Sequence, residues 1–353
     1  MRFLVSSGIL SIPIFPVQSE EFLLRKYNLK RLIKMGSNEN CYGPSPLVIQ
    51  ALKKGTSSIH RYPEIYGAPL KSRLASFLNV DASQIVLGHG STELVEMIAK
   101  TFLQAGGKCI TAKETFPIYQ MAVNAVNGIC ETVPLSQDRY DLEAILRAIE
   151  TDTRVLFIAN PNNPTGTSLP EQDLIRFIDS VPSNVLVVLD EAYREYAGEP
   201  SEAMLEFGGR SNVILLRTFS KVYGLAGLRI GYAICSPEVA GYLNQAAMPY
   251  GINLMAQIAA NYALDDQDHV RSCVEKNFQQ RERMQNELRA RGYRFVPSQS
   301  NFILLKVEDP AALCERLLHK GILVAPVSHF HVPDGVRITL GTPEENESLL
   351  SVL

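Results

Sequence analysis

The 353-residue sequence predicts an α/β fold, with a large domain on a mostly parallel seven-stranded sheet and a smaller C-terminal α/β domain. Two observations carry this expectation. As far as Ser236, short β-rich runs alternate with amphipathic stretches, which calls for crossover helices and hence parallel strands covered on both faces. Beyond Ser236 long helical patterns take over, followed by the strand-like runs Phe302 to Val307 and Val336 to Thr339. The expected division is an N-terminal arm with part of the small domain over 1–45, the large domain over 46–240 and the small domain over 241–353.

The candidate strands of the large sheet are Gln84 to Leu87, Lys108 to Thr111, Cys130 to Val133, Arg154 to Ala159, Val185 to Leu189, Val213 to Arg217 and Ile230 to Ile234, all short enough for buried strands. Between them lie helical faces. Leu70, Leu74, Phe77 and Leu78 share one, and Leu94, Met97, Ile98 and Phe102 another. Gly106 and Gly107 then supply a C-terminal stop.

Composition excludes several classes. Hydrophobic residues at 46% and charged residues at 20% describe an ordinary globular chain able to bury a core. Net charge is -3 with no basic run, so no nucleic-acid partner is expected. No apolar run approaches the ~20 residues of a membrane span, so no membrane partner is expected either. Six scattered cysteines without a C-x-x-C pair read as reduced thiols of a cytoplasmic protein, and neither a disulfide frame nor a metal site is expected. The stretch Met1 to Pro16 carries Arg2 and apolar residues, but Pro13, Pro16 and the interspersed serines break a signal-peptide core. It is expected to be an extended arm packed on a partner subunit.

Open α/β sheets bind ligands beyond the carboxyl ends of their strands, and four such ends carry reactive groups here. The turn Gly88, His89, Gly90, Ser91, Thr92 opens a helix, where free backbone N–H groups make an anion cup. Thr218 and Ser220 add hydroxyls after another strand, and Arg229 adds a charged fork; together these groups would hold a phosphate dianion. Asn163 lies in the turn from Asn160 to Gly166. Asp190 ends an apolar strand; alone it would read as a helix cap, but a buried carboxylate needs a cation or several donors. Lys221 follows Ser220 in a Gly-rich apolar stretch, which predicts a buried amine rather than the usual solvated one, nucleophilic toward a carbonyl.

The ordered set of motifs resembles the fold-type I pyridoxal-phosphate aminotransferases, and within them the histidinol-phosphate aminotransferase family. It comprises Ser37 to Asn40, Tyr42 to Pro46, Arg61 to Pro63, Asn160 to Gly166, Asp190 to Tyr193, Arg217 to Lys221, Leu225 to Arg229, Val336 to Ile338 and Gly341 to Asn346. The resemblance implies pyridoxal 5'-phosphate as cofactor, amino acid and 2-oxo acid as substrates, and a homodimer with shared active sites. It implies that Lys221 carries the cofactor as a Schiff base and shuttles a proton. Asp190 would keep the pyridine nitrogen protonated. Tyr193 and Asn163 would bond the phenolic oxygen, and Phe116 would stack on the ring. Ser91, Thr92, Thr218, Ser220 and Arg229 would hold the phosphate, joined by Tyr62 from the neighbouring subunit. Arg337 would clamp the substrate carboxylate.

Departures from the family bear on the substrate. Ala325 stands where the family has an arginine, and Phe15 where it has a tyrosine, both of which touch a substrate phosphate. The expected substrate is therefore non-phosphorylated, aromatic or otherwise neutral, with histidinol phosphate as the alternative. His329 and His331 could restore positive charge but are expected to be surface loop residues. Cys41 replaces a usual proline, and no role follows for it. Two rival activities can be set against these residues. A decarboxylase would differ only in which bond at the substrate carbon breaks. A nicotinamide oxidoreductase would require G-x-G-x-x-G, and Glu93 occupies its last glycine position.

Overall fold

A computed structural model describes residues 5–14, 19–103, 106–198 and 209–353. Thirteen strands are described: β1 (Ile33–Lys34), β2 (Ile85–Gly88), β3 (Lys108–Ala112), β4 (Ile129–Val133), β5 (Thr153–Ala159), β6 (Leu186–Asp190), β7 (Val213–Thr218), β8 (Gly231–Cys235), β9 (Arg294–Val296), β10 (Phe302–Lys306), β11 (Ile322–Leu323), β12 (Ala325–Pro326) and β13 (Gly335–Thr339). Seven of them form the large sheet in the order β2-β8-β7-β6-β5-β3-β4. All neighbours run parallel except β8, which is antiparallel to both β2 and β7. The central strands are continuous apolar runs because helices cover both faces; Val187, Val188, Val213, Ile214 and Leu215 are fully or almost fully buried.

The order of connection fixes where a ligand can sit. From β3 the chain steps outward to β4, then returns past β3 to β5 and continues to β6 and β7. The direction of winding thus reverses between β3 and β5, and the loops leaving their carboxyl ends diverge to leave a crevice. The antiparallel return of β8 brings a distant piece to the same edge. Gly231 pairs with Gly88 on one side and with Thr218 on the other. A Cβ on Gly231 would come within 2.7 Å of the Ser91 amide nitrogen, so the bare backbone lets the helix Gly90–Phe102 start directly beside β7.

The smaller unit is a four-stranded antiparallel sheet, β12-β13-β10-β9, with the parallel pair β1-β11 alongside. Its two faces serve different ends, following the two-residue period of a strand. Ile303, Leu305, Val336 and Ile338 enter a core with Met284, Leu288, Leu317, Ile33 and Met35. Phe302, Leu304 and Arg337 alternate with these residues and face the large sheet; the Phe302 ring meets Tyr193 edge-on with centroids 5.1 Å apart.

Two details differ from the sequence expectation. Phe77 is 43% exposed although Leu70, Leu74 and Leu78 on the same helix are buried, because that apolar face is narrower than its pattern suggests. Residues Ser7–Leu10 form a helical turn rather than an extended arm. This turn lies on its own chain, where Gly8 N–H and the Ser6 hydroxyl donate to Asn127 Oδ1 at 3.1 and 2.9 Å. No helix among the described residues is long and apolar enough to cross a membrane.

Candidate active site

A cavity of about 330 Å³ opens at the carboxyl ends of β5, β6 and β7, closed on its far side by the small sheet. Of the residues singled out from sequence, Ser91, Thr92, Phe116, Asn163, Asp190, Tyr193, Thr218, Ser220, Lys221, Arg229 and Arg337 all line it. Residues separated by more than two hundred positions therefore meet in one place.

At one end lies an anion cradle. The helix Gly90–Phe102 begins here, with its unpaired N–H groups and positive dipole end directed at the cavity. Thr218 and Ser220 are buried beside it, the Ser220 N–H donating to Thr218 Oγ1 at 3.1 Å. Arg229 adopts a left-handed backbone (φ 56°) that aims its guanidinium inward, where Nη1 donates to the Ala226 carbonyl at 3.2 Å and reaches Ser220 Oγ at 3.4 Å. Gly90, at φ 75°, leaves the room that this group occupies; a Cβ there would approach Arg229 Nη2 to 2.5 Å.

At the base sits Asp190, 5% exposed at the end of β6. Burial pushes its carboxyl above the ordinary carboxylate range, against the Tyr119 hydroxyl, which donates to Oδ2 at 2.8 Å, and the Ala192 N–H, which donates to Oδ1 at 3.0 Å. Tyr119 was not anticipated. An aromatic residue on an amphipathic helix reads as core, and its ring indeed stacks on Phe157 at 4.9 Å; only the strand-end geometry reveals what its hydroxyl meets. Behind Asp190 a second unanticipated pair is buried, with Arg217 Nε donating to Glu191 Oε2 at 2.7 Å.

Lys221 is half-buried rather than buried, because its amine opens into the cavity; Nζ lies 3.4 Å from the Ser37 carbonyl and 5.3 Å from the Tyr193 ring centroid. Arg337 forms the opposite wall, 8% exposed between the rings of Phe302 and Phe330 at 5.7 and 5.4 Å. Its Nη1 donates to Asn163 Oδ1 at 2.6 Å and its Nη2 to the Gly36 carbonyl at 2.8 Å, while Nε is buried without a partner. Burial lowers its affinity for the proton, yet a guanidinium stays charged, so this wall is a fixed cation.

The remaining expected residues are distributed differently. Ala325 pairs directly with Arg337 across β12 and β13, which points both side chains to the same face. Tyr62 lies away from the cavity, 83% exposed and tilted against Tyr250 at 4.8 Å. Phe15 falls outside the described residues. His329 is exposed, as expected of a loop residue, and also lines the cavity; desolvation of its ring and the neighbouring Arg337 hold its imidazole below the ordinary range. His331 is exposed, at φ 60°. No cluster of three or more histidine, cysteine or acidic residues suited to a metal is present among the described residues.

This donor set suits a phosphorylated, cationic heterocyclic aldehyde. It offers an anion cradle at one end, a desolvated carboxylate at the base and an amine between them. Over residues 30–353 the sequence matches the family described as aminotransferase class I and II. The chain belongs to that family. It is similar to a histidinol-phosphate aminotransferase of Moorella thermoacetica, with 39% identity over 98% of this chain and 91% of the relative. It is 41% identical to one from a Geobacillus species (strain WCH70), over 97% and 94% of the two chains. Among solved structures it resembles the histidinol-phosphate aminotransferase of Sinorhizobium meliloti in complex with pyridoxal-5'-phosphate. That match has a TM-score of 0.89 and 30% identity, and covers 98% and 95% of the chains. The protein is a fold-type I, pyridoxal-phosphate-dependent aminotransferase, as the motifs had implied.

A raised folded-state pKa means that the folded chain holds the Asp190 proton more tightly than the unfolded one. The group's contribution to stability therefore falls as pH rises above about 4. The Tyr119 hydrogen bond opposes that fall by favouring the ionised form. Tyr119→Phe is expected to lower the unfolding free energy of the cofactor-free protein by about 1.5–3 kcal/mol at pH 7. The loss should shrink as acid protonates Asp190. Denaturant titrations at pH 7 and at about pH 4 check this, and an equal loss at each would contradict it.

Proposed function

We propose that this aminotransferase moves the amino group between histidinol phosphate and a 2-oxo acid, in a homodimer whose subunits complete each other's sites. The observation that supports the substrate assignment is identity of 39–41% to two histidinol-phosphate aminotransferases over nearly the full length of both partners. Arg337 is the supporting feature of the site. In this pair of substrates a phosphate ester stands on one molecule where a carboxylate stands on the other, and a guanidinium fork accepts both anions bidentately.

The cofactor, when bound, supplies an electron sink that labilises bonds at the amino-bearing carbon. The chain supplies the rest. Ser91, Thr92, Thr218, Ser220 and Arg229 bind the cofactor phosphate, joined by Tyr62 of the neighbouring subunit; the 83% exposure of Tyr62 on this chain leaves its ring available to a partner. Asp190 holds a proton on the pyridine nitrogen, because a desolvated carboxylate gains most from a cation in contact with it. Tyr193 and Asn163 would bond the phenolic oxygen, and Phe116 would lie against the ring. Lys221 would carry the cofactor through its amine, and the same amine is placed to move the proton at the substrate's amino-bearing carbon.

One observation favours a second substrate class. Ala325 places a methyl group beside Arg337, so a phosphate dianion there meets one arginine rather than two. A non-phosphorylated amino acid, aromatic or neutral, would bind without that deficit.

Lys221→Ala is expected to lower kcat by about 10²–10⁴-fold or more and to abolish covalent retention of the cofactor after borohydride reduction; retention at full yield would refute the role. A panel of histidinol phosphate, histidine, phenylalanine and tyrosine against one 2-oxo acid tests the substrate. The highest kcat/KM is expected for histidinol phosphate, whereas a higher value for an aromatic amino acid establishes the second reading. Ala325→Arg is expected to raise kcat/KM for histidinol phosphate about tenfold, the effect of one charge-assisted bond, and to leave phenylalanine unimproved. No gain would show that the face beside Arg337 does not meet the substrate phosphate.

A further inference from the structure

Three consecutive residues, Gly36, Ser37 and Asn38, each touch a different working side chain of the cavity. The Gly36 carbonyl accepts from Arg337 Nη2 at 2.8 Å, the Ser37 carbonyl accepts from Lys221 Nζ at 3.4 Å, and Asn38 Nδ2 donates to the Tyr193 hydroxyl oxygen at 2.9 Å. The strip is carried by the small sheet. Thr339 N–H donates to the Met35 carbonyl at 2.8 Å and Met35 N–H donates to the Leu323 carbonyl at 2.7 Å. Tyr193, in contrast, follows β6 of the large sheet.

Asn38 itself is held on every polar group. It is 1% exposed and takes a left-handed backbone, φ 56°, a conformation asparagine tolerates better than most residues. Its N–H donates to Thr339 Oγ1 at 2.8 Å, and that hydroxyl donates in turn to Asn38 Oδ1 at 3.1 Å. Its carbonyl accepts from Asn301 Nδ2 at 3.1 Å. With Oδ1 committed to Thr339, the amide nitrogen faces Tyr193. A phenol oxygen that accepts a hydrogen bond from an amide must send its own hydrogen elsewhere, and the cavity lies on its other side.

We infer that Asn38 is a positioning residue that makes Tyr193 a hydrogen-bond donor toward the cofactor's ring oxygen, and that it ties this donation to the position of the Arg337 clamp. The inference rests on the role of Tyr193 proposed above. A donor aimed at the ring oxygen weakens the hold on the proton shared between that oxygen and the lysine-linked nitrogen. Removing the orientation therefore strengthens that hold.

The test is a pH titration of the visible absorption of the cofactor-loaded protein, a readout independent of turnover. Tyr193→Phe sets the reference shift. Asn38→Ala and Asn38→Asp are each expected to raise the midpoint by about one unit, a tenfold change in proton affinity; the carboxylate of the second would draw the Tyr193 hydrogen to itself. The double variant Asn38→Ala with Tyr193→Phe is expected to shift no further than Tyr193→Phe alone, since both act through one hydroxyl. Thr339→Val, which loosens Asn38 but keeps its amide, supplies a milder variant with a smaller shift in the same direction. If Tyr193→Phe moves the midpoint while Asn38→Ala, Asn38→Asp and Thr339→Val leave it in place, the inference is overturned and the role of Tyr193 stands. If Tyr193→Phe itself causes no shift, the role of Tyr193 fails and the inference goes with it.

Discussion

A buried carboxylate is the constraint around which this molecule is arranged. Removing an ion from water costs several kcal/mol even after a protein has relaxed around it. The two donors that reach Asp190, Tyr119 Oη and Ala192 N, return about 1.5–3 kcal/mol each. The remainder is a standing demand for positive charge at the end of β6. Lys221 is the charged group that acts on Asp190 from within the cavity to favour its ionised form. A costly buried group thus stands where a cofactor with a basic ring nitrogen would relieve it, so binding energy and fold stability would draw on the same interaction.

The small sheet shows how one strand pattern supports both a core and a site. Ile303 and Leu305 pack inward, while Phe302 and Leu304 alternate with them toward the large sheet. Arg337 opposes Leu304 in register, so its guanidinium is held between two aromatic faces rather than exposed to solvent. Ala325 opposes Arg337 in turn. A shift of register by one residue would send the cation into the hydrophobic core and an isoleucine into the cavity, and the packing of Met284, Leu288 and Leu317 makes that slip costly.

Much of this was legible in the sequence, for identifiable reasons. Strands buried on both faces appear as plain apolar runs, and Asp190, Asn163 and Lys221 stand where such runs stop. Other features were not legible, because they depend on contacts between distant segments. The Tyr119 hydroxyl finds Asp190 across 71 residues, and Asn38 finds Tyr193 across 155. Each reads locally as an ordinary helix aromatic or turn asparagine. His329 lies in a loop whose course is set by packing of Val327 and Phe330 against Leu304, which no local pattern announces. Phe77 fits the apolar period of its helix yet faces outward, since periodicity shows which face is apolar but not how wide the contact is.

The backward run of β8 has a consequence for assembly. The start of the helix Gly90–Phe102 and the Thr218–Ser220 turn belong to segments some 130 positions apart, and the strand that clips them together is made after both. A chain leaving the ribosome can wind β3 to β7 in sequence, but it has no phosphate cradle until Gly231 slides between Gly88 and Thr218. The two halves of the cradle are thus held together by a single late strand, through the pairings of Gly231 with Gly88 and with Thr218.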